Sequence, residues 1–539
     1  MLALILLAGT LVYILRKYGA REKGLPPGPP TIPILGNAHL FPTEFPQLKF
    51  TEWARKYGGL YSLKIGAGTV VIVTDAAIAK ELLDKRGAAT ADRPSTHIGD
   101  LTTGGKLITV ARYGETYKTL RKSANVILTA QATKQHLPIQ QAEAVQLLHD
   151  FIQSPESFFT AISRYSYSVI HSVLYGKRVS RYDNEEMKQF NHIVRSFNIL
   201  MAPGGAPPVD LIPVLKYIPE RFAPWKTESR RIKNLQHKHY WTMLNDAKDR
   251  MLRGEGHGCC MEQVFKHQEE LGMSDELTKF LGSALQETGA ETTSSFLQGL
   301  VLALVAHPEA QKKAQEEIDS IVGAQRMPTL DDLNSLPYVR ALILEAHRFR
   351  PVVPLGLPHA AISTQEYEGY MIPEGATIFV NVWGIFHDPD LFEEPEKFRP
   401  ERYVLTENGT KPGVDGSALR HTLPFGFGRR ICPGMIHFPK NLHWNINTMN
   451  LLWAFEFLPA VDANGISIPV DTWAYSKGIA SAPLPFCCRI IPRSEAKIKI
   501  IQSEFVEAAA TLSKFEVDLS EADKEYLRKA RGNQAAEGS

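Results

Sequence analysis

The stretch Phe425-Gly-Phe-Gly-Arg-Arg-Ile-Cys-Pro-Gly434 constrains this chain more than any other. A cysteine sits behind a glycine-rich loop that carries two arginines and an aromatic. An arbitrary cysteine is most often a buried structural thiol, but these neighbours argue otherwise. Gly426, Gly428 and Gly434 let backbone come close to something large and flat. Arg429 and Arg430 offer fixed positive charge to an anion. Pro433 suits the first turn of a following helix, whose amides stabilise a thiolate at Cys432. A phosphate-binding loop fits poorly. Gly426-Phe-Gly428 lacks the third glycine, no Lys-Ser/Thr pair follows, and no strand run precedes it.

A thiolate held in this way can be an axial ligand to heme iron. The pattern Phe-x-x-Gly-x-Arg-x-Cys-x-Gly is complete at Phe425, Gly428, Arg430, Cys432 and Gly434. It resembles the heme-binding loop of the cytochrome P-450 family. The resemblance implies heme b as cofactor, Cys432 as the metal ligand and Arg430 as a propionate partner, with Phe425, Gly428 and Gly434 shaping the loop.

The net charge of +2 implies no nucleic acid and no strongly acidic partner. The cysteines fall at 259, 260, 432, 487 and 488, without a Cys-x-x-Cys pair, which suits a reducing compartment. Residues Leu2 to Leu15 are apolar except for Thr10 and Tyr13, and Arg16, Lys17, Arg21 and Lys23 follow. We read 1–18 as a single transmembrane anchor, shorter than the roughly 20 residues of a typical span. The charges after it keep the rest of the chain cytoplasmic, at the endoplasmic reticulum membrane if the resemblance holds. Leu25-Pro-Pro-Gly-Pro-Pro30 makes 19–36 a proline-rich hinge, stiff like polyproline. A catalytic domain then occupies 37–493, and a C-terminal helical extension 494–539.

Strand-like runs lie at Leu60 to Ile65 and Thr69 to Thr74, divided by a Gly-Ala-Gly turn. Helical patterns follow at Pro138 to Phe151, Pro155 to Leu174, Asn184 to Met201, Thr227 to Arg253 and 274–305. Strand signals return near Ile372 to Asn381. The expected class is α+β, predominantly helical, the cytochrome P-450 fold behind its anchor. In the extension, Ile498, Ile501, Phe505, Ala508 and Leu512 recur at helical spacing. Ser520-x-x-Asp523 predicts a cap for a second, polar helix with a solvated end.

Three further clusters carry chemistry. The helix over 274–305 is mostly apolar yet contains Gly289-Ala-Glu-Thr-Thr293. Polar groups in a buried helix are costly unless satisfied or used. Thr292 and Thr293 can simply bond back to carbonyls one turn earlier. The segment also resembles the family's distal-helix signature, with Thr288 departing at its first position, which implies a kink at Gly289 and proton transfer by Glu291 and Thr292. Glu345-Ala-His-Arg348 puts a carboxylate and a guanidinium on one helical face. In the family such a pair meets a later arginine, here Arg402 in Phe398-Arg-Pro-Glu-Arg-Tyr403, in a buried structural network. Tyr117-Lys-Thr-Leu-Arg121 resembles a Trp-x-x-x-Arg helix with Tyr117 replacing tryptophan. Arg121 then holds a propionate, and His359 stands where the other is often served. Pro439 is a departure: seven residues after Cys432 it removes a helix amide, which predicts a kinked or delayed helix there.

The resemblance, which covers the chain from the hinge to about Arg493, implies a monooxygenase that inserts one oxygen atom from O2 into an apolar small molecule. Its electrons come from NADPH through a separate cytochrome P-450 reductase, since no flavin or nicotinamide domain is visible. Thr96 to Ile108, Phe197 to Asp210, 281–293, Val352 to Leu357 and Tyr475 to Ala480 are the expected substrate-facing segments; they offer no strong carboxylate clamp. The style of the loop resembles fungal enzymes of secondary metabolism, with a terpenoid or aromatic polyketide as substrate. A reductase-independent isomerase or dehydratase, and a degenerate non-catalytic heme protein, are the alternatives.

Overall fold

The computed structural model describes residues 17–202, 204–210, 212–437 and 442–537. The anchor expected at 1–18 falls almost wholly outside them, as does Pro439. Among the described residues no helix is long and apolar enough to cross a membrane.

The proline-rich segment is docked rather than free. Arg21 donates to the Pro26 carbonyl and to the Ser62 hydroxyl and carbonyl at 2.6–2.7 Å, and the Ser62 amide donates to Pro27 O at 2.7 Å. Gly28 has to be glycine, because a Cβ there would lie 2.1 Å from Ser62 O.

Helix α1 (Pro46–Tyr57) precedes a hairpin of β1 (Leu60–Ile65) and β2 (Gly68–Val73). The body follows as α2 (Glu115–Ile127), α3 (Leu137–Gln153), α4 (Phe158–Tyr175), α5 (Glu185–Met201), α6 (Pro224–Leu252), α7 (Asp275–Ala306) and α8 (Pro337–Phe349). Strands β3 (His359–Ala360) and β4 (Thr377–Val380) return to the first sheet, whose order is β1-β2-β4-β3. The β2–β4 pair is parallel and the others antiparallel. The single strand run expected near Ile372 to Asn381 is two: Tyr370–Ile372 belongs to a separate hairpin. Helix α9 (Leu442–Ala454) leads into β5 (Phe455–Val461), which pairs with β6 (Cys488–Pro492). Helices α10 (Glu495–Leu512) and α11 (Glu521–Glu537) close the chain.

Helix α7 is the spine. Ser274 caps it by accepting from the Leu277 amide. Two glycines let α4 lie close along it: a Cβ at Gly289 would press on Ile170 at 3.0 Å, and one at Gly282 would strike the Tyr175 hydroxyl at 2.5 Å. The chain stays helical through Gly289. Leu297, Leu300 and Leu304 join Ile162 and Tyr165 of α4, Leu147 of α3, Leu342 of α8 and Met449 of α9 in the main core. Complete burial of one such leucine is worth about 2 kcal/mol.

The extension is built into the body. Phe505 stacks on His149 of α3 at 4.0 Å, and Ile501 and Leu512 are buried beside it. Ser520 caps α11 as expected, accepting from the Asp523 amide at 3.1 Å. Yet Asp523 is itself buried, and it receives Arg181 at 2.7 Å and the Asn184 side chain at 2.9 Å. The solvated end expected for this helix therefore begins only past that anchor. Glu516 joins a buried network in which Glu143 accepts from Arg164, Arg178 and Ser168, while Arg178 also donates to Glu516 at 2.7 Å. Burial alone would raise the Glu143 carboxyl, but Arg178 and Arg164 hold it down to about 2.

Candidate heme and proton-handling site

The cysteine loop is two 3-10 turns, Leu423–Phe425 and Gly428–Arg430, followed by a third at Pro433–His437. The Cys432 amide donates to Phe425 O at 2.8 Å, which folds the loop back on itself. The amides of Gly434 and Met435 face the sulfur. The expected helix start after Pro433 is thus a 3-10 turn, and α9 begins later. Burial pushes the Cys432 thiol up, against the two amides and Arg121, which pull it down. A metal at the sulfur is what turns such a thiol into a thiolate.

Two of the glycines are also required by the chain's own backbone. Gly428 has φ +50°, and a Cβ there would lie 2.0 Å from Leu83 O. Its close approach is to the chain's own backbone, and its amide donates a hydrogen bond to the Asp84 carboxylate at 2.7 Å. Gly426 has φ +87°, which favours glycine, whereas a Cβ at Gly434 would sit 3.7 Å from the sulfur in ordinary contact.

Around the loop lies an excess of buried positive charge. Arg430 donates to Ala91 O at 2.6 Å and Ala111 O at 2.8 Å, and rests 3.5 Å above the Tyr117 ring. Arg121 donates to Ile431 O, next to the cysteine. Arg93, which sequence reasoning missed, donates to the carbonyls of Thr109, Leu357 and Pro358 at 2.7–2.9 Å. Burial pushes Arg93 down to about 9 with help from Arg430, and Arg430 down to about 10. The nearest carboxylate, Asp92, is already taken by Arg112 and by the amides of Arg93 and Tyr113. Guanidiniums bonded to carbonyls alone leave a charge for an anion to neutralise. The two carboxylates of a heme would fit that demand, with the Cys432 sulfur as the candidate thiolate.

Two expected contacts look otherwise in place. The Tyr117 hydroxyl donates to Arg429 O at 2.6 Å, so it secures the loop. His359, on edge strand β3, spends its Nδ1 proton on Thr90 O at 2.9 Å. Burial and the neighbouring Arg93 depress it to about 3, so the ring is neutral and turns only a lone pair outward. Arg93 adds free guanidinium donors of the kind a propionate needs.

Glu345, Arg348 and Arg402 meet in the interior. Arg348 makes two 2.8 Å bonds to the Glu345 carboxylate and further bonds to the carbonyls of Phe386, Pro395 and Lys397. Arg402 Nε lies 3.1 Å from Glu345, and its other nitrogens reach Glu393 O and Lys397 O. The Arg399 amide fills the remaining Glu345 oxygen site at 2.8 Å.

On α7, Thr292 donates back to Thr288 O at 2.6 Å, and Glu291 accepts from Asn198 of α5 at 2.5 Å. Loss of water pushes the Glu291 carboxyl up to about 7. Asn198 was not legible beforehand. Among the described residues no hydrogen bond or ion pair joins this pair to the cysteine loop. The bridge is aromatic: Phe296 stacks on His347 at 4.3 Å and packs on Trp444 at 5.2 Å, and Trp444 meets Phe425 at 5.4 Å. Of the expected substrate-facing segments, the first three converge, with Ile98, Leu107, Phe197, Leu200, Phe280 and Ala284 in one apolar cluster.

The comparisons with known proteins agree with this geometry. The family model described as Cytochrome P-450 matches residues 26–457. The chain is 40% identical to a cytochrome P-450 monooxygenase of Armillaria gallica over 95% of its own length and 98% of that protein's. It is 38% identical to the cytochrome P-450 monooxygenase ple5B of Rhodocybe pseudopiperita over 92% and 94% of the two chains. To the cytochrome P-450 monooxygenase patI of Penicillium expansum it is 36% identical over 94% and 95%. Taken with the cysteine loop, the buried Glu345–Arg348–Arg402 cluster and the polar turn of α7, this extent of match establishes that the chain belongs to the cytochrome P-450 family of monooxygenases.

Proposed function

We propose that this protein is a membrane-anchored heme-thiolate enzyme that hydroxylates an apolar small molecule, a terpenoid or aromatic polyketide of fungal secondary metabolism. The observation that carries the heme assignment is the sulfur of Cys432 beneath two backbone amides and beside arginines without a carboxylate partner. Bound heme supplies the activation of O2. Cys432 is then its thiolate ligand, and Arg93, Arg121 and Arg430 hold its carboxylates. Glu291 holds a proton near neutral pH and passes it on beside Thr292. The apolar cluster around Phe197 and Phe280 excludes water and favours an apolar substrate. The two electrons come from NADPH through a cytochrome P-450 reductase. The apolar run 2–15 ahead of the docked hinge supports a single-pass anchor in the endoplasmic reticulum membrane, with the domain on the cytoplasmic side. Glu291 speaks for monooxygenation over a reductase-free isomerase or dehydratase, because only the former consumes protons.

The test is optical and chemical. Reduced, CO-treated wild-type protein should give the strongly red-shifted Soret band of a thiolate-ligated heme, and Cys432→Ser should lose that shift. Identical spectra for the two would overturn the ligand assignment. Metabolite profiling of a host that expresses the protein with a reductase should reveal a product one oxygen heavier than its precursor.

A further inference from the structure

Glu287 has no part in the site as described, yet it stands one turn before Glu291 on the same face of α7. It is 7% exposed and accepts from Tyr240 at 2.8 Å and Gln236 at 3.2 Å, both on α6. The groups that face it are few. Helix α6 gives Tyr240 and Gln236, α4 gives Tyr175 and, beyond Tyr240, Tyr167, and α7 gives Glu291. Helix α5 adds only the Asn198 amide, which is bonded to Glu291. Among the described residues no lysine or arginine pairs with either carboxyl. Loss of water, then the neighbouring Glu291, push Glu287 up to about 7 against its two hydrogen bonds.

A carboxyl so placed could be a packing element. Two observations speak for more. A glutamine would accept the same bonds without the cost of a buried acid. And a polar cleft of about 290 Å³ opens between α4, α5 and α6, reaching toward Glu287 through Tyr175, which lines it. Lys177, Glu186, Lys238 and Asp246 stand among its lining residues, and His171, Tyr175, His239 and Arg250 form its buried part. Tyr175 Oη, His239 Nε2, and Arg250 Nε and Nη1 are buried there without a protein partner. Buried polar atoms in a space of this size are satisfied by water. Tyr175 is also the residue pressed against Gly282 of α7, close enough to feel the Glu287 charge.

We propose that Glu287 is a second proton-holding residue of the reaction, taking protons from water in the α4–α5–α6 cleft and passing them to Glu291. This rests on the role given to Glu291 above. The overall conversion, RH + O2 + 2e⁻ + 2H⁺ to ROH + H2O, draws two protons per cycle. For each, the Glu287 carboxylate gains one from cleft water and the resulting acid gives one to Glu291. No electron moves, and Glu287 ends as it began. It acts through Glu291, so it is a positioning residue and not a catalytic one.

The experiment uses the full-length, heme-loaded protein. Infrared difference spectra across neutral pH should show protonated-carboxyl absorption in the wild type, of which Glu287→Gln removes one component and Glu291→Gln the other. With NADPH and a fungal reductase but no substrate, the share of consumed O2 released as hydrogen peroxide is then followed against pH. Glu287→Gln should raise that share severalfold and flatten its pH dependence, and Glu287→Asp should restore part of it. Tyr240→Phe keeps the acid but removes a bond that favours its anion, so the profile should move to higher pH. If Glu291→Gln alters the peroxide share while Glu287→Gln and Tyr240→Phe leave it at the wild-type profile, the inference fails and the Glu291 role stands. If Glu291→Gln also behaves as wild type, the Glu291 role fails with it.

Discussion

The Arg430 guanidinium lies 3.5 Å above the ring of Tyr117, and the Tyr117 hydroxyl donates to Arg429 O at 2.6 Å. One side chain of α2 is thus both seat and hook for the loop that ends in Cys432. A desolvated cation–π contact is worth about 2 kcal/mol, and the hydroxyl bond about 1 kcal/mol. Tyr117→Phe should therefore keep heme with a slightly lower Tm, whereas Tyr117→Leu, which loses seat and hook, should shed much of its heme on gel filtration. Full heme retention by the leucine variant would show that the loop needs neither.

Arg93 and His359 make opposite predictions. Arg93→Lys keeps a charge but loses the fork that bridges Thr109, Leu357 and Pro358. Loss of one charge-assisted bond, about 1.5–3 kcal/mol, corresponds to heme loss to apomyoglobin roughly tenfold faster or more. His359→Ala should change that rate far less, because its only proton already goes to Thr90 O.

Much of this site was legible because local spacing carries it. The cysteine loop, the Glu345–Arg348 pair and the polar turn of α7 are short motifs whose chemistry follows from neighbours in sequence, and the long helices follow from apolar periodicity. Arg93 escaped because its partners are backbone carbonyls at 109, 357 and 358, which no side-chain pattern announces. Asn198 escaped for a related reason, since its partner lies on another helix. Gly428 was legible as a required glycine but not for its cause, because Leu83 comes near it only in the fold. The anchor of α11 at Asp523 depends on Arg181 and Asn184, more than 300 positions away along the chain.

The Glu345 cluster is built to tolerate no partial loss. One carboxylate balances Arg348 and Arg402, and all three side chains are buried. Removal of one partner from a buried pair costs about 3–5 kcal/mol. Glu345→Gln should leave two uncompensated guanidiniums, with little soluble holoprotein at ordinary growth temperature. Arg348→Lys should also fail, since one ammonium cannot replace bonds to Glu345, Phe386, Pro395 and Lys397. Soluble yield and heme content per chain are the measurements.

The extension closes the far side of the body, so its removal should be felt at α5. Asp523 bonds Arg181 and Asn184, and Asn184 is the residue that caps α5. The other end of α5 carries Asn198, the partner of Glu291. Asp523→Ala should make the amides at the start of α5 exchange hydrogen faster, with the Cys432 loop unchanged. Truncation after Arg493 should be harsher, because it uncovers the α3 face that Ile501, Phe505 and Leu512 bury. Insoluble or protease-sensitive protein is expected, and a stable truncated domain would show that the face needs no cover.

Glu287 also contributes to how stability depends on pH. Its folded value, about 7, lies above the ordinary glutamate value of 4.5. Below the unfolded value both states hold the proton, and the neutral acid keeps its full benefit. Between the two values the folded state binds more protons than the unfolded one, so stability falls as pH rises, and it levels off once the folded carboxyl ionises. A rise of that size corresponds to about 3 kcal/mol. Glu287→Gln removes the titration: its Tm should exceed the wild type's above neutral pH and converge with it toward acid. Urea melts of both proteins on either side of neutrality would check this. A wild-type slope preserved in the variant would place the titration on another group.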